Sequence, residues 1–286
     1  MPTTLHACQV AAIRIDNMTS SEKHLLPGNP KWDYSIQRYK PSRDVFSERG
    51  LFSILFLACG RPEITRRCLL STVDAVNQYS GDIEWIFIEN GQCDDNYLLF
   101  TEIPSNRKVI VRQNNFGINQ GLNQAWALSR GEFCLIHEND WECRKNIDFL
   151  SIAGSIFTEK PDVGIVQLRA IYDPCENWGI HKPEYSPWSC TQEQLDVAGI
   201  KVWNEKTVAG HQYSLSKFSN GFNNNPTIIR KSLYRECGPY PECEIGSDPR
   251  HGESLYQSEV AQTDCLTAHI GQEIYYHAGQ ATTNAN

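Results

Sequence analysis

Apolar residues between positions 51 and 168 fall into two alternating patterns. Short continuous apolar runs are typical of strands buried on both faces, and helical spacing of apolar residues predicts helices with one buried face. The predicted strands are 51–57, 83–88, 108–112, 133–137 and 163–168. The predicted helices are 63–78, 118–129 and 146–158. Strands that alternate with helices predict an α/β fold, in which a parallel sheet is covered by helices on both faces.

The two ends of the chain follow this pattern less well. Residues 1–49 are polar and interrupted by prolines, which predicts an irregular N-terminal extension to a domain over 50–286. Segment 172–226 is rich in Trp, Tyr, Asn, Gly and Pro, and we interpret it as packed loops; the alternative is a surface whose aromatic rings stack on sugars and whose amides bind hydroxyls. A strand at 227–230, a helix at 252–262 and a short strand or turn at 274–279 are predicted after it.

Polar groups follow three of the predicted strands, at 58–61, 89–91 and 138–140. Ligands of parallel sheets bind beyond the carboxyl ends of the strands, so these segments predict a single site. Glu138 and Asp140 are one residue apart, and two carboxylates that close repel unless a cation neutralises them. A divalent metal with oxygen ligands is one interpretation. A solvated acidic turn is the other.

Charge and cysteine content narrow the class of protein. The 286 residues carry a net charge of −8 with a pI of about 5.5, so no bulk field attracts nucleic acid. No apolar run approaches the ~20 residues of a membrane span, and the N-terminus lacks a signal-peptide pattern, so a cytoplasmic location is expected. The 11 cysteines favour reduced, buried thiols. The alternative is a zinc site formed by Cys237, Cys243, His251, Cys265 and His269. The spacings between these residues match no structural zinc pattern.

Four segments in order resemble the motifs of family 2-like glycosyltransferases of the GT-A fold. They are Ala58-Cys-Gly-Arg-Pro-Glu63, Ile88-Glu-Asn-Gly-Gln-Cys-Asp94, Asn114-Asn-Phe-Gly-Ile-Asn-Gln-Gly-Leu-Asn123 and Glu138-Asn-Asp140. The last is similar to the metal-binding Asp-x-Asp of the family, and Tyr276-His-Ala-Gly279 is similar to its closing His-x-Gly. The resemblance covers about 51–170 well and 220–279 more loosely. It implies a GT-A-like (Rossmann-like), mostly parallel central sheet with helices on both faces.

The resemblance also implies a nucleotide-sugar donor, most commonly a UDP-sugar, and a metal, Mn²⁺ or Mg²⁺, held by Asp140 and His277. The implied donor contacts are Ala58, Gly60, Arg61, Glu89, Asn115, Gly117, Asn123, His137 and Glu138. Five of these side chains have a structural alternative. Arg61 would be a surface residue, Glu89 a solvated strand-end acid and Asn115 a helix cap. Asn123 would rest on a helix surface, and His277 would be a buried strand histidine.

The chain departs from the family pattern at its acids. Glu89 and Glu138 stand where the family has Asp, and the expected pair of acids near 253 is only Glu253-Ser254. Inverting transfer needs a general base for the acceptor hydroxyl, and Glu253 is the candidate, with Glu259 and Asp248 in reserve. A glutamate in the first turn of a helix also favours the helix dipole without any catalytic role.

The function that follows is a metal-dependent, inverting hexosyl- or pentosyltransferase that acts on a glycan or other hydroxyl acceptor. Residues 50–170 would bind the donor and 171–286 the acceptor. Two other classes stay open. A non-catalytic nucleotide- or carbohydrate-binding module would use the same fold. A sugar nucleotidyltransferase would need a Gly-rich, basic triphosphate loop, and segment 58–62 holds only one glycine and one arginine.

Overall fold

The computed structural model describes residues 11–14, 47–168, 201–208, 210–217, 226–241, 250–270 and 274–279. Its strands are β1 (Ala11–Arg14), β2 (Glu48–Ala58), β3 (Ile83–Glu89), β4 (Lys108–Arg112), β5 (Gly131–Glu138), β6 (Trp141–Cys143), β7 (Val163–Gln167), β8 (Lys201–Val208), β9 (His211–Lys217), β10 (Thr227–Arg230), β11 (Leu266–Ile270) and β12 (Tyr275–His277). Its helices are α1 (Pro62–Val76), α2 (Asp94–Glu102), α3 (Ile118–Leu128), α4 (Phe149–Glu159), α5 (Lys231–Cys237) and α6 (Arg250–Ala261).

One large sheet forms the centre of the described residues, in the strand order β1-β4-β3-β2-β5-β10-β7-β11-β9-β8. The neighbours from β1 to β5 all run parallel, as predicted for the α/β part. Beyond β5 the sheet is mixed, because β10 is antiparallel to both β5 and β7 whereas β11 is parallel to β7. The fold is therefore an α/β fold with a parallel half and a mixed half.

Alternate residues of the central strand β2 enter two separate hydrophobic cores. Ile54 and Phe56 pack on one face with residues of α1, α2 and α4. Leu55 and Leu57 pack on the other face with residues of α3, α5 and α6. All four side chains are at most 4% exposed. Successive strand residues point to opposite faces, so a continuous apolar run is required where helices cover both sides.

Several elements were not predicted. Within the extension predicted to be irregular, β1 pairs with β4 at the sheet edge. The β8–β9 hairpin lies inside the segment interpreted as loops. Among the cysteines of the described residues, all are free, and Cys68 and Cys134 are buried as predicted whereas Cys59 is exposed. In the described part of the chain no helix is long and apolar enough to cross a membrane.

A second, two-stranded sheet joins β6 to β12, with His277 paired with Trp141. This pairing brings the end of the described chain next to the residues that follow β5.

Candidate functional site

The three polar segments lie side by side, as predicted. β2 is paired with both β3 and β5, and in these pairings Ala58 is opposite Glu89 and Leu57 is opposite Glu138. The backbone N–H of Asn90 donates to the carbonyl of Ala58 at 2.7 Å, which joins two of the strand ends.

The turn after β2 has a conformation that is uncommon for side-chain-bearing residues. Gly60 and Arg61 both have positive φ, at 60° and 52°, and α1 begins immediately afterwards. A left-handed conformation costs free energy for a residue with a Cβ atom. Contacts from three directions hold this turn. Asn96 donates to the Gly60 carbonyl at 2.8 Å, Asn139 donates to it at 3.3 Å, and the Thr65 hydroxyl donates to the Arg61 carbonyl at 3.0 Å.

The Arg61 side chain reaches the segment that follows β5. Its Nη2 atom lies 3.0 Å from Oδ1 of Asn139 and 3.1 Å from Oδ2 of Asp140. The arginine side chain is 48% exposed, whereas that of Asp140 is 11% exposed. Arg61 is therefore not a surface residue without a partner, since it joins the first strand end to the third.

Asp140 is held against the last strand. Its Oδ2 atom lies 3.3 Å from Nε2 of His277, and its backbone carbonyl accepts the N–H of Ala278 at 2.7 Å. Burial raises the pKa of Asp140, but the interactions with His277 and Arg61 lower it by more than burial raises it. The pKa of Asp140 therefore lies below its usual value. A Cβ atom on Gly279 would lie 2.8 Å from Oδ2 of Asp140, so this close packing requires glycine.

The contacts of Asp140 and His277 fit a divalent cation. Oδ1 of Asp140 is buried and has no hydrogen-bond partner in the described residues. Adjacent ligands of an octahedral ion lie about 3 Å apart, so the 3.3 Å between Oδ2 and Nε2 suits a shared ion as well as a hydrogen bond. No group of three His, Cys, Asp or Glu residues that could hold a metal occurs in the described ranges. The site therefore offers two protein ligands, and an ion there would take its other ligands from substrate and water.

The carboxylates of Glu138 and Glu253 interact electrostatically. Glu138 is half-buried, and its pKa is raised well above the usual value by burial and by the negative charges of Asp140 and Glu253. Glu253, in the first turn of α6, also raises the pKa of the buried Tyr240. Glu253 is thus close enough to Glu138 for their charges to interact. Glu259 is later in α6, where it raises the pKa of Cys237, and the second reserve, Asp248, lies outside the described residues.

Glu89 is buried, so the alternative of a solvated strand-end acid is wrong. Its carboxylate accepts hydrogen bonds from Nδ2 of Asn96 at 2.8 Å and from the backbone N–H of Cys93 at 3.2 Å. Burial raises its pKa, and these hydrogen bonds oppose the increase. Asn96 also donates to Gly60, so Glu89 supports the turn after β2 through Asn96.

Asn115 and Gly117 lie beside the second strand end. The N-cap of α3 is Gly117, with φ 89°, and no side chain caps it, so the alternative of Asn115 as the helix cap is wrong. Asn115 instead accepts the Gly117 N–H at 2.9 Å and an Nδ2–H of Asn90 at 3.3 Å. Asn115 is exposed, which leaves it accessible to a ligand.

Both the nitrogen and the oxygen of the Asn123 side-chain amide form hydrogen bonds within the protein. Its Nδ2 donates to the Tyr240 carbonyl at 3.0 Å, and its Oδ1 accepts the Tyr240 N–H at 2.9 Å and the Tyr234 hydroxyl at 3.2 Å. The side chain is 1% exposed. Asn123 therefore joins α3 to the segment after α5, and it does not rest on a helix surface.

His137 is a core residue of β5. It has no exposed surface, stacks on Phe56, and its Nε2 lies 2.8 Å from Oγ1 of Thr72. Burial lowers its pKa to about 3, so the ring is neutral at physiological pH. In the sequence, His137 directly precedes Glu138 and was predicted to contact the donor. Successive side chains of a strand point to opposite faces, however, and that of His137 points into the core covered by α1.

Sequence reasoning missed Asn139 and Asn96, which shape the site. Asn139 is 3% exposed, donates to Thr65 Oγ1 at 2.8 Å and accepts from Arg61. The position of Asn139 between Glu138 and Asp140 in the sequence could have indicated that it belongs to the site. Asn96 lies in α2, an element that was not predicted, so the sequence pattern did not mark it.

Comparison with known proteins agrees with this architecture. The model of glycosyl transferase family 2 matches residues 53–217, which is more than half of the chain. A comparison with curated proteins returned no match. Among solved structures, S. aureus TarS 1-349 has a TM-score of 0.54 at 15% identity, with 79% of this chain and 60% of that chain covered. The same protein in complex with UDP-GlcNAc has a TM-score of 0.52 at 14% identity, with 79% and 57% covered.

A further solved structure is the mannosyltransferase PcManGT from Pyrobaculum calidifontis in complex with GDP-Man and Mn²⁺. Its TM-score is 0.50 at 13% identity, with 76% of this chain and 53% of that chain covered. These likenesses confirm the predicted GT-A fold. The chain spans about 60% of the length of TarS 1-349.

Proposed function

Because the chain belongs to glycosyl transferase family 2, we propose that it transfers a sugar from a nucleotide diphosphate sugar to an acceptor hydroxyl. The observation that carries the proposal is the pair of Asp140, which follows the parallel strand β5, and His277, which β12 brings beside it. Among the residues that the structure describes, one carboxylate oxygen of Asp140 is buried without a hydrogen-bond partner, and the other lies 3.3 Å from the imidazole of His277. Such a pair suits a cation that a diphosphate shares.

The donor in this proposal binds across the ends of β2, β3 and β5. Asp140 and His277 would hold Mn²⁺ or Mg²⁺, and the ion would supply Lewis-acid stabilisation of the departing diphosphate. The half-exposed guanidinium of Arg61 is close enough to the metal ligands to bind a phosphate oxygen as well. UDP is the nucleotide that we propose, and TarS, which binds UDP and UDP-GlcNAc, has a related fold.

The acceptor side of the proposal involves Glu253. Its charge acts on both Glu138 and Tyr240, which supports a position beside the donor site. A carboxylate there would accept the proton of the acceptor hydroxyl as the hydroxyl attacks the anomeric carbon, and the sugar would be transferred with inversion. We propose that residues 50–170 bind the donor and that 171–286 contribute the acceptor side.

Thermal unfolding of the full chain with Mn²⁺ and each of UDP, GDP and dTDP tests the donor site. A ligand at about 100 times its dissociation constant stabilises a protein by about 2.7 kcal/mol. For a chain of this size, that should raise the midpoint by several degrees. We expect a metal-dependent shift with one nucleotide, and its loss in Asp140→Asn, which keeps the side-chain volume but removes the charge.

Turnover separates an enzyme from a binding module of the same fold. Release of nucleoside diphosphate from the matching donor, in the presence of glycan acceptors, is the expected result. Binding without release would favour the non-catalytic module, and release of pyrophosphate from a nucleoside triphosphate would favour a nucleotidyltransferase. No thermal shift with any of the three nucleotides would contradict the donor site itself.

A further inference from the structure

The guanidinium of Arg61 and the imidazole of His277 bind the same oxygen atom of Asp140. Nη2 of Arg61 lies 3.1 Å from Oδ2, and Nε2 of His277 lies 3.3 Å from it. A divalent ion held by Asp140 and His277 would therefore be next to a positively charged group that already neutralises the carboxylate. Two cations this close repel, so Arg61 in this position disfavours metal binding.

The two partners differ in how easily they can move. The Arg61 side chain is 48% exposed, and its contacts with Asn139 and Asp140 are both made by one nitrogen, Nη2. The Asp140 side chain is 11% exposed and packed against Gly279. A change in this ion pair is therefore expected to move the arginine and leave the aspartate in place.

A diphosphate is a better partner for a guanidinium than a single carboxylate oxygen. Its oxygens can accept two parallel N–H bonds from one guanidinium, and charge-assisted pairs of this kind are the stronger ones. The Arg61 carbonyl accepts the Thr65 hydroxyl, and the carbonyl of the preceding Gly60 accepts Asn96 and Asn139, so the backbone is fixed and only the side chain has to rotate.

We propose that Arg61 makes metal binding depend on the donor. Paired with Asp140, it keeps divalent cations out of the site. When a nucleotide diphosphate arrives, the guanidinium transfers to the phosphates and Asp140 becomes available to the metal. This inference rests on the proposed function, and it assigns Arg61 a positioning role for the metal in addition to a contact with the donor.

The coupling must act in both directions. If the nucleotide raises the affinity for metal by some factor, the metal raises the affinity for the nucleotide by the same factor. Removing the guanidinium should then separate two effects. The Asp140 carboxylate loses a cationic partner and attracts metal more strongly, whereas the nucleotide loses a phosphate contact.

Titration of the full chain with Mn²⁺, followed by electron paramagnetic resonance of the free ion, tests this with and without UDP. For the wild type we expect weak binding of Mn²⁺ alone and at least tenfold tighter binding with UDP. For Arg61→Ala we expect Mn²⁺ alone to bind at least tenfold tighter than in the wild type, with a smaller effect of UDP. Arg61→Gln keeps the proposal testable if the alanine variant does not fold.

Arg67→Ala is the matched control, because Arg67 lies in α1, the helix that follows Arg61, is 53% exposed and is 3.9 Å from a different acid, Glu142. It should behave as the wild type does. If the wild type binds Mn²⁺ together with UDP but Arg61→Ala binds Mn²⁺ alone no more tightly than the wild type, the gating role is overturned and the donor site stands. If the wild type binds no nucleotide among UDP, GDP and dTDP with Mn²⁺, the donor site and the gate are both overturned.

Discussion

Nε2 of His277 lies 3.3 Å from Oδ2 of Asp140, and the pairing of β6 with β12 holds the two residues together. If both are metal ligands, His277→Ala should weaken Mn²⁺ binding in the presence of the matching nucleotide by about 10- to 100-fold. His211→Ala, in the hairpin near the far edge of the sheet, is the control. Equal Mn²⁺ affinity in both variants, measured by the same titration, would show that His277 is only a hydrogen-bond partner of Asp140.

The charge of Glu253 near Glu138 leads to a prediction about turnover. Glu253→Gln should reduce nucleoside diphosphate release in the presence of acceptor by about 10²- to 10⁴-fold, because a proton acceptor of this kind contributes about that factor. Donor affinity should be unchanged, since the diphosphate is bound elsewhere. Glu259→Gln, later in the same helix, should keep the wild-type rate. An active Glu253→Gln variant would remove the residue from the mechanism.

The contact between Gly279 and Asp140 predicts a steric effect. A methyl group at position 279 would lie 2.8 Å from Oδ2, so Gly279→Ala should displace the carboxylate and weaken metal-dependent nucleotide binding. Gly154→Ala is a matched control, because its nearest neighbour would be 3.7 Å away. Because Gly154 lies within a helix, its replacement by alanine should leave the free energy of unfolding unchanged or raise it by up to about 1 kcal/mol. Thermal shifts of both variants, with and without Mn²⁺ and UDP, make the comparison.

The three hydrogen bonds of Asn123 predict a change in stability. Asn123→Ala leaves the buried N–H and C=O groups of Tyr240 without their partner, and the free energy of unfolding should fall by about 1–3 kcal/mol. Asn77→Ala, an exposed amide after α1, should change it by less than about 0.5 kcal/mol. Urea denaturation measures both. If Asn123→Ala kept full stability but lost nucleotide affinity, a direct donor contact would be the better interpretation.

The buried His137 predicts a dependence of stability on pH. Its pKa is about 3 in the folded protein, whereas an unfolded histidine titrates near 6.5. The unfolded chain therefore binds more protons at this residue between these values, and stability falls as pH is lowered through them. Between these two pH values, His137 lowers the free energy of unfolding by about 1.4 kcal/mol for each pH unit of acidification.

Urea denaturation between pH 7.5 and 4.5 measures this slope. His137→Gln should show a shallower loss of stability than the wild type, because its residue 137 takes up no proton on unfolding. His211→Gln, at a partly exposed position, is the matched control for the substitution itself. A slope in His137→Gln equal to that of the wild type would mean that the proton uptake belongs to other groups.

The sequence predicted the parallel half of the sheet because burial on both faces forces an unbroken apolar run. β4 and β10 were predicted at their observed bounds, and the central strands to within a few residues. Two kinds of element gave no such signal. β6 has only 3 residues, and α2 leaves Leu98 56% exposed between the half-buried Tyr97 and the buried Leu99, so its apolar residues do not form one clear face.

The site was predicted in its location more than in its individual contacts. Chain order was enough to place 58–61, 89–91 and 138–140 at adjacent strand ends. It did not reveal that Glu89 is buried beneath the turn, or that Asn123 and His137 have partners within the protein, because those partners come from distant segments. Hydrogen bonds between distant segments leave no local pattern in a sequence.

The short pairing of β6 with β12 has a consequence for how the chain tolerates changes in length. Side chains in a strand alternate with a period of two, so a single-residue insertion or deletion between Ile274 and His277 would turn the imidazole to the opposite face. Substitutions at Tyr276 leave that alternation intact. The number of residues between Ile274 and His277 should therefore matter more for the site than the side chain at position 276, whose ring lies against the guanidinium of Arg144.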